Sequence, residues 1–304
     1  MTTTQTQTQL TVANPTVLRP RPGQARRTAV RTVRRIPVWI LVGLLMVVVL
    51  YPQVWMLLGS FKTQAEFLSD PALSLPKTWQ FDNYIAALTN GDVARNYLNS
   101  LIVTIPSVLL IVFIGVAAGY ALEVMIWKGR NAVLLYVLAG IMVPGQMILL
   151  PLFSAYFQAG LTGTLWPLII TYTATGLPLT VFMMATYFRA VPKEIFEAAA
   201  IDGASIYRSF RSIGFPMVRN AIFTVALVQF FFIWNDLLIA LTFTNSSDLR
   251  TIQVGLLNFN GEFGATNYGP LFAAICINVF GTLVLYLILN QRVQKGLTAG
   301  SVKG

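Results

Sequence analysis

Six long apolar runs constrain this chain more than any other feature of its sequence. They are separated by polar segments and lie near residues 38–60, 98–122, 132–154, 162–188, 220–244 and 269–291. An α-helix needs about 20 apolar residues to cross the roughly 30 Å hydrocarbon core of a bilayer. Each run must be helical there, because an isolated strand would leave its backbone groups unpaired in lipid. The sequence therefore predicts an all-α polytopic membrane protein with six transmembrane helices.

The composition agrees with this prediction and excludes several classes of enzyme. Of 304 residues, 56% are hydrophobic and 11% are charged, against about 25% charged in soluble domains. The chain has no histidine and one cysteine, Cys276, which excludes a disulfide framework and zinc sites or general bases built on histidine. We expect no catalytic residue, no metal site and no cofactor bound by this chain.

Four prolines lie inside or near the third and fourth runs and predict kinked or broken helices at these depths. They are Pro144, Pro151, Pro167 and Pro178.

Positively charged residues are distributed unevenly between the two sets of loops. Seventeen of the 21 Lys and Arg residues lie in one set, residues 1–37, 123–131, 189–219 and 292–304. The positive-inside rule therefore predicts that both termini and the 189–219 loop are cytoplasmic. Since the basic residues are accounted for by topology, nucleic acid is not an expected partner. Residues 1–37, rich in Arg and interrupted by Pro15, Pro20 and Pro22, are predicted to be a disordered tail.

The loop over residues 189–219 contains the signals for a short helix. Pro192 suits the first turn, and Glu194 and Glu197 favour the positive end of the helix dipole. Gly203 is suited to a left-handed cap at the other end. Small side chains at Ala198, Ala199 and Ala200 would let the helix approach another surface closely, which favours docking on a protein over lying on lipid.

A second short helix is predicted to follow immediately. Ser205 can act as its N-cap, and Ile206, Phe210 and Ile213 would share one face. Gly214 and Pro216 are expected to end it. The product would be a pair of short helices between spans four and five, joined by a glycine elbow.

Asp236, in the sequence Trp234-Asn235-Asp236, is the clearest acidic residue within a span. A carboxylate at mid-bilayer costs roughly 2.5–3.5 kcal/mol on insertion scales, so its presence requires a reason. These three residues could line a translocation path. Alternatively, Asp236 lies at the outer end of span five, partly hydrated and paired with Asn235 or a neighbouring helix.

The sequence contains no source of energy for active transport. It has no phosphate-binding loop of the G-x-x-x-x-G-K-[ST] type, and an ion-driven transporter would usually have several buried acidic groups. Energy for active transport would have to come from another chain.

The 189–219 loop resembles the EAA motif of membrane subunits of binding-protein-dependent ABC importers. The motif spacing is kept by Glu197, Ala198, Ala199, Gly203, Ile213 and Pro216, with Phe215 where the motif has Leu. Outside this loop, the chain resembles the carbohydrate branch, the six-span partner of the maltose-type permease pair. The residues that match this branch include Phe81-Asp82-Asn83-Tyr84, Met142-Val143-Pro144, Asp202-Gly203-Ala204 and the C-terminal stretch Gly296–Gly304.

The resemblance implies a non-catalytic permease subunit in a bacterial inner membrane. Residues 38–291 would form the six-helix permease domain and residues 292–304 a cytoplasmic tail. The EAA loop, with Glu197, Ala198, Ala199, Asp202, Gly203, Ile213 and Pro216, would couple to a separate ATPase that binds ATP and magnesium. Gly300, Lys303 and Gly304 would give a second ATPase contact.

The other implied partners are a homologous second permease, an ATPase dimer, an extracytoplasmic solute-binding protein and membrane lipid. The implied cargo is a sugar or oligosaccharide. The alternatives are an ion-coupled secondary transporter, a permease for a non-sugar solute such as a sugar phosphate or polyol, and a membrane-embedded enzyme.

Overall fold

A computed structural model describes residues 24–259 and 266–301, with side chains described for residues 37–259 and 266–287. Regular structure in these residues is helical. Two compact units are separable, one up to Val54 and one from Trp55 onward. The helices are α1 Gln24–Gly59, α2 Gln64–Ser69, α3 Asp82–Thr89, α4 Val93–Glu123, α5 Arg130–Met142, α6 Leu149–Gln158, α7 Trp166–Arg189, α8 Lys193–Ile201, α9 Ile206–Ser209, α10 Phe215–Trp234, α11 Leu238–Phe243, α12 Ile252–Gly255 and α13 Tyr268–Ser301.

Five single helical segments of the described chain are long and apolar enough to cross a membrane. They are Pro37–Gly59, Val93–Glu123, Trp166–Arg189, Ile206–Trp234 and Tyr268–Leu287. A sixth candidate is a pair of helical segments, Arg130–Met142 and Gly145–Gln158, which are bent by 88° relative to each other. The prediction of a polytopic helical membrane protein is confirmed.

Two predicted boundaries are wrong. Helix α1 begins at Gln24, so the expected disorder of residues 1–37 does not hold beyond residue 23, and residues 1–23 lie outside the described part. Pro15, Pro20 and Pro22 all precede this start, and Ala and Arg in the first turns are good helix formers. The fifth apolar helix begins at Ile206 and ends at Trp234, not at residues 220 and 244, because α10 continues the helix that Ser205 caps.

The prolines act as predicted at one of the four positions. The break between α5 and the helical turn at Gly145–Ile148 lies at Val143 and Pro144, which are both extended. Pro167 and Pro151 lie in the first turns of α7 and α6, where a missing N–H costs no helical hydrogen bond. Pro178 lies inside α7 without dividing it.

Close packing of α4 on α7 forms the centre of the second unit. A methyl group added at Gly115 would lie 2.4 Å from Cγ2 of Thr180, and one at Gly119 would lie 2.7 Å from Cβ of Met184. The spacing of these two glycines lets the backbones approach as in other small-residue helix pairs. At one end of this pair, a cluster of buried apolar side chains joins α4, α7 and α10; it comprises Val116, Tyr120, Met184, Phe188, Val191, Val218 and Val225.

Candidate functional site

Helix α8 has the boundaries that its sequence signals predict. Pro192 directly precedes its first residue, and Glu194 lies in its first turn. Gly203 has φ +74°, the left-handed conformation that favours glycine. Its N–H donates to the carbonyl of Ala200 at 3.1 Å, and the N–H of Ala204 donates to that of Ala199 at 2.9 Å. These two bonds form a Schellman cap, so α8 ends in a defined elbow.

The predicted second short helix is wrong in one respect. Ser205 caps its start, accepting a hydrogen bond at 3.3 Å from the N–H of Arg208. However, Gly214 and Pro216 do not end the helix, because α9 passes through a π-helical turn at Phe210–Gly214 directly into α10. In that turn, the N–H of Phe215 donates to the carbonyl of Phe210. A widened turn accommodates Pro216, which lacks an N–H and would crowd the carbonyl four residues before it.

The residues of the EAA motif do not share one environment. Glu197, Ala198 and Asp202 are exposed, whereas Ala199 is buried. Gly203 is exposed at the elbow, and Ile213 and Pro216 lie farther along, half-buried and exposed respectively. Only Glu197 to Gly203 therefore lie on one short structure.

The exposed face of α8 is apolar at its end. Ile201 is 87% exposed, directly before the elbow. On the opposite face, the half-buried ring of Phe196 lies 5.8 Å from that of Tyr120 in α4. The carboxylate of Glu197 makes no hydrogen bond or ion pair within the described part of the chain. A rigidly based helix thus presents a free carboxylate and a large apolar side chain to its surroundings, which suits a mechanical contact with another protein.

An ion pair supports the base of this loop. Arg189, the last residue of α7, donates to both carboxylate oxygens of Glu123 in α4, from Nε at 3.0 Å and from Nη2 at 2.8 Å. Paired hydrogen bonds of this kind fix relative orientation. Nη1 of Arg130 donates to the carbonyl of Met125 at 3.0 Å. The ends of α4, α5 and α7 are therefore tied together next to α8.

Trp234, Asn235 and Asp236 lie in different surroundings. Trp234 is 2% exposed, and its indole Nε1 donates to Oδ1 of Asn278 at 3.1 Å. Oδ2 of Asp236 accepts three hydrogen bonds, from the hydroxyl of Tyr172 at 2.8 Å and from the N–H groups of Ile239 and Ala240 at 2.9 and 3.2 Å. Asp236 therefore caps α11 and is paired with the neighbouring helix α7, in line with the second alternative drawn from the sequence.

The broken span exposes polar groups that sequence reasoning did not select as a site. Met142, Val143, Pro144 and Gln146 are all exposed at the 88° bend. Non-helical backbone at membrane depth is tolerated only where protein or water covers it. Pro144 marked the break in the sequence, but nothing there indicated that Gln146 would be exposed beside it.

The predicted tail contact lies at the edge of the described residues. Helix α13 continues to Ser301 and includes the backbone of Gly300. Lys303 and Gly304 lie outside the described residues.

Comparison with known proteins identifies relatives over most of the chain. Residues 111–295 match the family model described as binding-protein-dependent transport system inner membrane component. The diacetylchitobiose uptake system permease protein NgcG of Streptomyces coelicolor is 33% identical over 84% of this chain and 85% of its own length. The trehalose/maltose transport system permease protein MalG of Thermococcus litoralis is 32% identical over 86% of this chain and 94% of its own.

The fold is also similar to that of a solved structure. A chain of a bacterial ABC transporter involved in the import of the acidic polysaccharide alginate superposes with a TM-score of 0.74 and 19% identity. The match covers 90% of this chain and 99% of that one.

Proposed function

Because this chain belongs to the family of inner membrane components of binding-protein-dependent transport systems, we propose that it forms half of the translocation path of an ATP-driven sugar importer and that α8 transmits the motion of a separate ATPase. The observation that carries this proposal is the capped, solvent-exposed helix α8, with Glu197 unpaired in the described chain and Ile201 exposed. A short helix fixed at its base and free at its tip can transmit a rigid-body displacement to the spans behind it.

The proposed topology has six spans, with the bent pair α5–α6 as the third and both termini in the cytoplasm. Support comes from the 17 of 21 basic residues that lie in one set of loops. In this orientation α8, the Glu123–Arg189 ion pair and the C-terminal residues Gly300, Lys303 and Gly304 face the ATPase. ATP and magnesium would be bound by that partner, which leaves this chain non-catalytic.

We place the translocation path at the break in the third span in preference to Trp234, Asn235 and Asp236. Trp234 is buried and Asp236 is bonded to three donors within the chain, so neither is free to contact a solute. The exposed break, with Gln146 beside it, needs cover from water or from the second permease. Water and the second permease would both be present along a path formed between two subunits.

A sugar is the proposed cargo, because the named cargo of the relatives is diacetylchitobiose or trehalose and maltose. A carbon-source growth screen of a strain lacking the gene tests this class. Loss of growth on a carbohydrate, restored by the intact gene, is the expected result. Loss confined to non-carbohydrate sources would support the alternative of another solute.

The coupling role is tested by purifying the tagged full-length chain from its host and measuring the ATP hydrolysis that co-purifies. Glu197→Lys should remove most of that activity while leaving membrane insertion intact, because a positive charge replaces the free carboxylate. Glu194→Lys is the matched control, since Glu194 is exposed on the same helix but outside the motif. Equal co-purification with both variants would exclude Glu197 as the coupling residue.

A further inference from the structure

Two adjacent cavities lie beside the elbow, and they differ in chemistry. One, the apolar groove, has a volume of about 710 Å³ and lies between α4 and the α9–α10 helix. The other, the basic cavity, has a volume of about 340 Å³ and lies among the ends of α4, α5, α7 and α8. Tyr120, Met125 and Ile206 line both. A single elongated molecule can therefore occupy the two together.

The apolar groove has the dimensions of one bilayer leaflet. Along α4 its lining runs from Leu109 to Ala121 and on to Met125. The 12 steps from Leu109 to Ala121 span roughly 18 Å at about 1.5 Å per residue, slightly more than half of a hydrocarbon core about 30 Å thick. Phe113 is 76% exposed at its rim, and exposed Ala117 lies one helical turn further on. A transmembrane helix would need a groove that continues along the whole span. An acyl chain needs a groove that covers only half of the hydrocarbon core, as this one does.

The basic cavity carries a surplus of positive charge at the end of that groove. Arg130, Arg189 and Lys193 line it together with Glu123 and Glu197. Arg189 is already paired with Glu123, and Arg130 is held in place by the backbone carbonyl of Met125. The side chain of Lys193 makes no hydrogen bond or close ion pair in the described residues, although its charge acts on Glu123 at longer range. The three cations exceed the two carboxylates by one positive charge, which favours an anionic group.

We propose that the apolar groove and the basic cavity together bind one anionic phospholipid, with an acyl chain along α4 and the phosphate near Arg130 and Lys193. We assign this phospholipid to the cytoplasmic leaflet, and that assignment rests on the topology given under the proposed function. Exposed Trp127 lies in the adjoining loop, where its indole Nε1 donates to the carbonyl of Ala121 at 2.8 Å. In the proposed orientation this loop would lie at the level where aromatic residues meet lipid headgroups. The lipid would also touch Ala200 and Ala204, which line the basic cavity on either side of the elbow.

Native mass spectrometry of the detergent-solubilised full-length chain tests this site. The chain is titrated with phosphatidylglycerol and, separately, with phosphatidylcholine, and the bound lipid is counted. Phosphatidylglycerol should bind more tightly, and Lys193→Gln should weaken its binding roughly fivefold, the effect of one basic residue at a membrane surface. Arg130→Gln should act similarly. Arg211→Gln is the control, because Arg211 is exposed on the neighbouring π-helical turn without lining either cavity.

A second variant tests the acyl-chain site. Ala117→Trp fills the groove from an exposed position and should reduce binding of both lipids, whereas Ala94→Trp, exposed near the other end of α4, should not. Equal binding of the two lipids by the unaltered chain, an equal effect of Arg211→Gln and Lys193→Gln, or normal binding by Ala117→Trp would each overturn the proposal. None of these measurements involves ATP or sugar, so failure of the coupling proposal would be seen separately.

Discussion

Glu197 in α8 and Asp236 before α11 are both carboxylates that the sequence marks as candidate functional groups. In the structure, however, they differ in whether they have hydrogen-bond partners. Glu197 is exposed and has no bonding partner in the described chain. Asp236 is bonded by a tyrosine hydroxyl and two backbone N–H groups. The comparison indicates that a polar group satisfied within the chain holds the fold, whereas one left unsatisfied at a rigid, exposed element is available to a partner.

The largest expected effect comes from changing the elbow next to Glu197. Gly203→Val places a branched side chain at φ +74°, a conformation that costs such residues roughly 1–2 kcal/mol. The direction of α9 relative to α8 should change, and uptake of the sugar identified in the growth screen should fall at least about tenfold, the equivalent of 1.4 kcal/mol in docking.

Gly160 supplies a matched control for that variant. It has φ +68° and ends α6 with the same pair of hydrogen bonds, from Gly160 to Phe157 at 3.1 Å and from Leu161 to Tyr156 at 2.9 Å. Gly160→Val should therefore destabilise its helix end to a similar degree while leaving most uptake intact. Similar losses of uptake in the two variants would mean that backbone strain, not the position of the elbow, explains the result.

Substitutions at Asp236 should lower the stability of the fold. Asp236→Ala leaves two N–H groups of α11 without an acceptor and should lower the free energy of unfolding by roughly 2 kcal/mol. Tyr172→Phe removes one of the three bonds and should cost about 1 kcal/mol. Thermal unfolding of the detergent-solubilised chain measures both.

Asn235→Ala is the control for this pair of variants. Among the described residues, the exposed Asn235 side chain bonds only to the carbonyl of Phe231 in its own helix, so its loss should stay within about 0.5 kcal/mol. If Asn235→Ala and Asp236→Ala were equally stable, Asp236 would not be a structural cap.

The same contrast explains which features the sequence could predict. Pro192 and Gly203 act on their own backbone, so the start and the cap of α8 were predictable from residue type and spacing. Whether Gly214 and Pro216 end a helix depends on the surroundings, because Tyr120 and Phe188 pack beside Gly214 within 3.5 Å of its Cβ position and help to hold the widened turn in place. The role of Asp236 depends on Tyr172, 64 positions earlier, which no local pattern reveals.

A smaller effect is expected at the apolar tip of α8. Ile201 is 87% exposed, so Ile201→Ala should leave the unfolding temperature unchanged. If the tip is partly buried in the ATPase, the variant should lower co-purifying ATP hydrolysis roughly fourfold for each buried methylene that it removes, since each contributes about 0.8 kcal/mol. Ile126→Ala, at a residue that is 93% exposed on the loop after α4, should have no such effect. A change in the unfolding temperature of Ile201→Ala would show that this side chain packs within the chain and is not available to a partner.

The smallest effect should come from Glu66, a third carboxylate, which is satisfied within the chain but outside the spans. It forms a capping box with Thr63, whose N–H donates to Oε2 at 3.0 Å, and its Oε1 accepts from the N–H of Lys77 at 3.2 Å. The backbone N–H of Thr63, more than any other group, lowers the pKa of Glu66 below its ordinary value of 4.5. Its contribution to stability is therefore complete above pH 4.5 and is lost as the pH falls through the lower pKa of the folded state.

Glu66→Gln should remove the part of the pH dependence of stability that comes from Glu66. Between about pH 6 and about pH 3, the unfolding temperature of the variant should fall less than that of the unaltered chain. An equal fall in the variant and in the unaltered chain would show that the hydrogen bonds of Glu66 to Thr63 and Lys77 do not stabilise the fold.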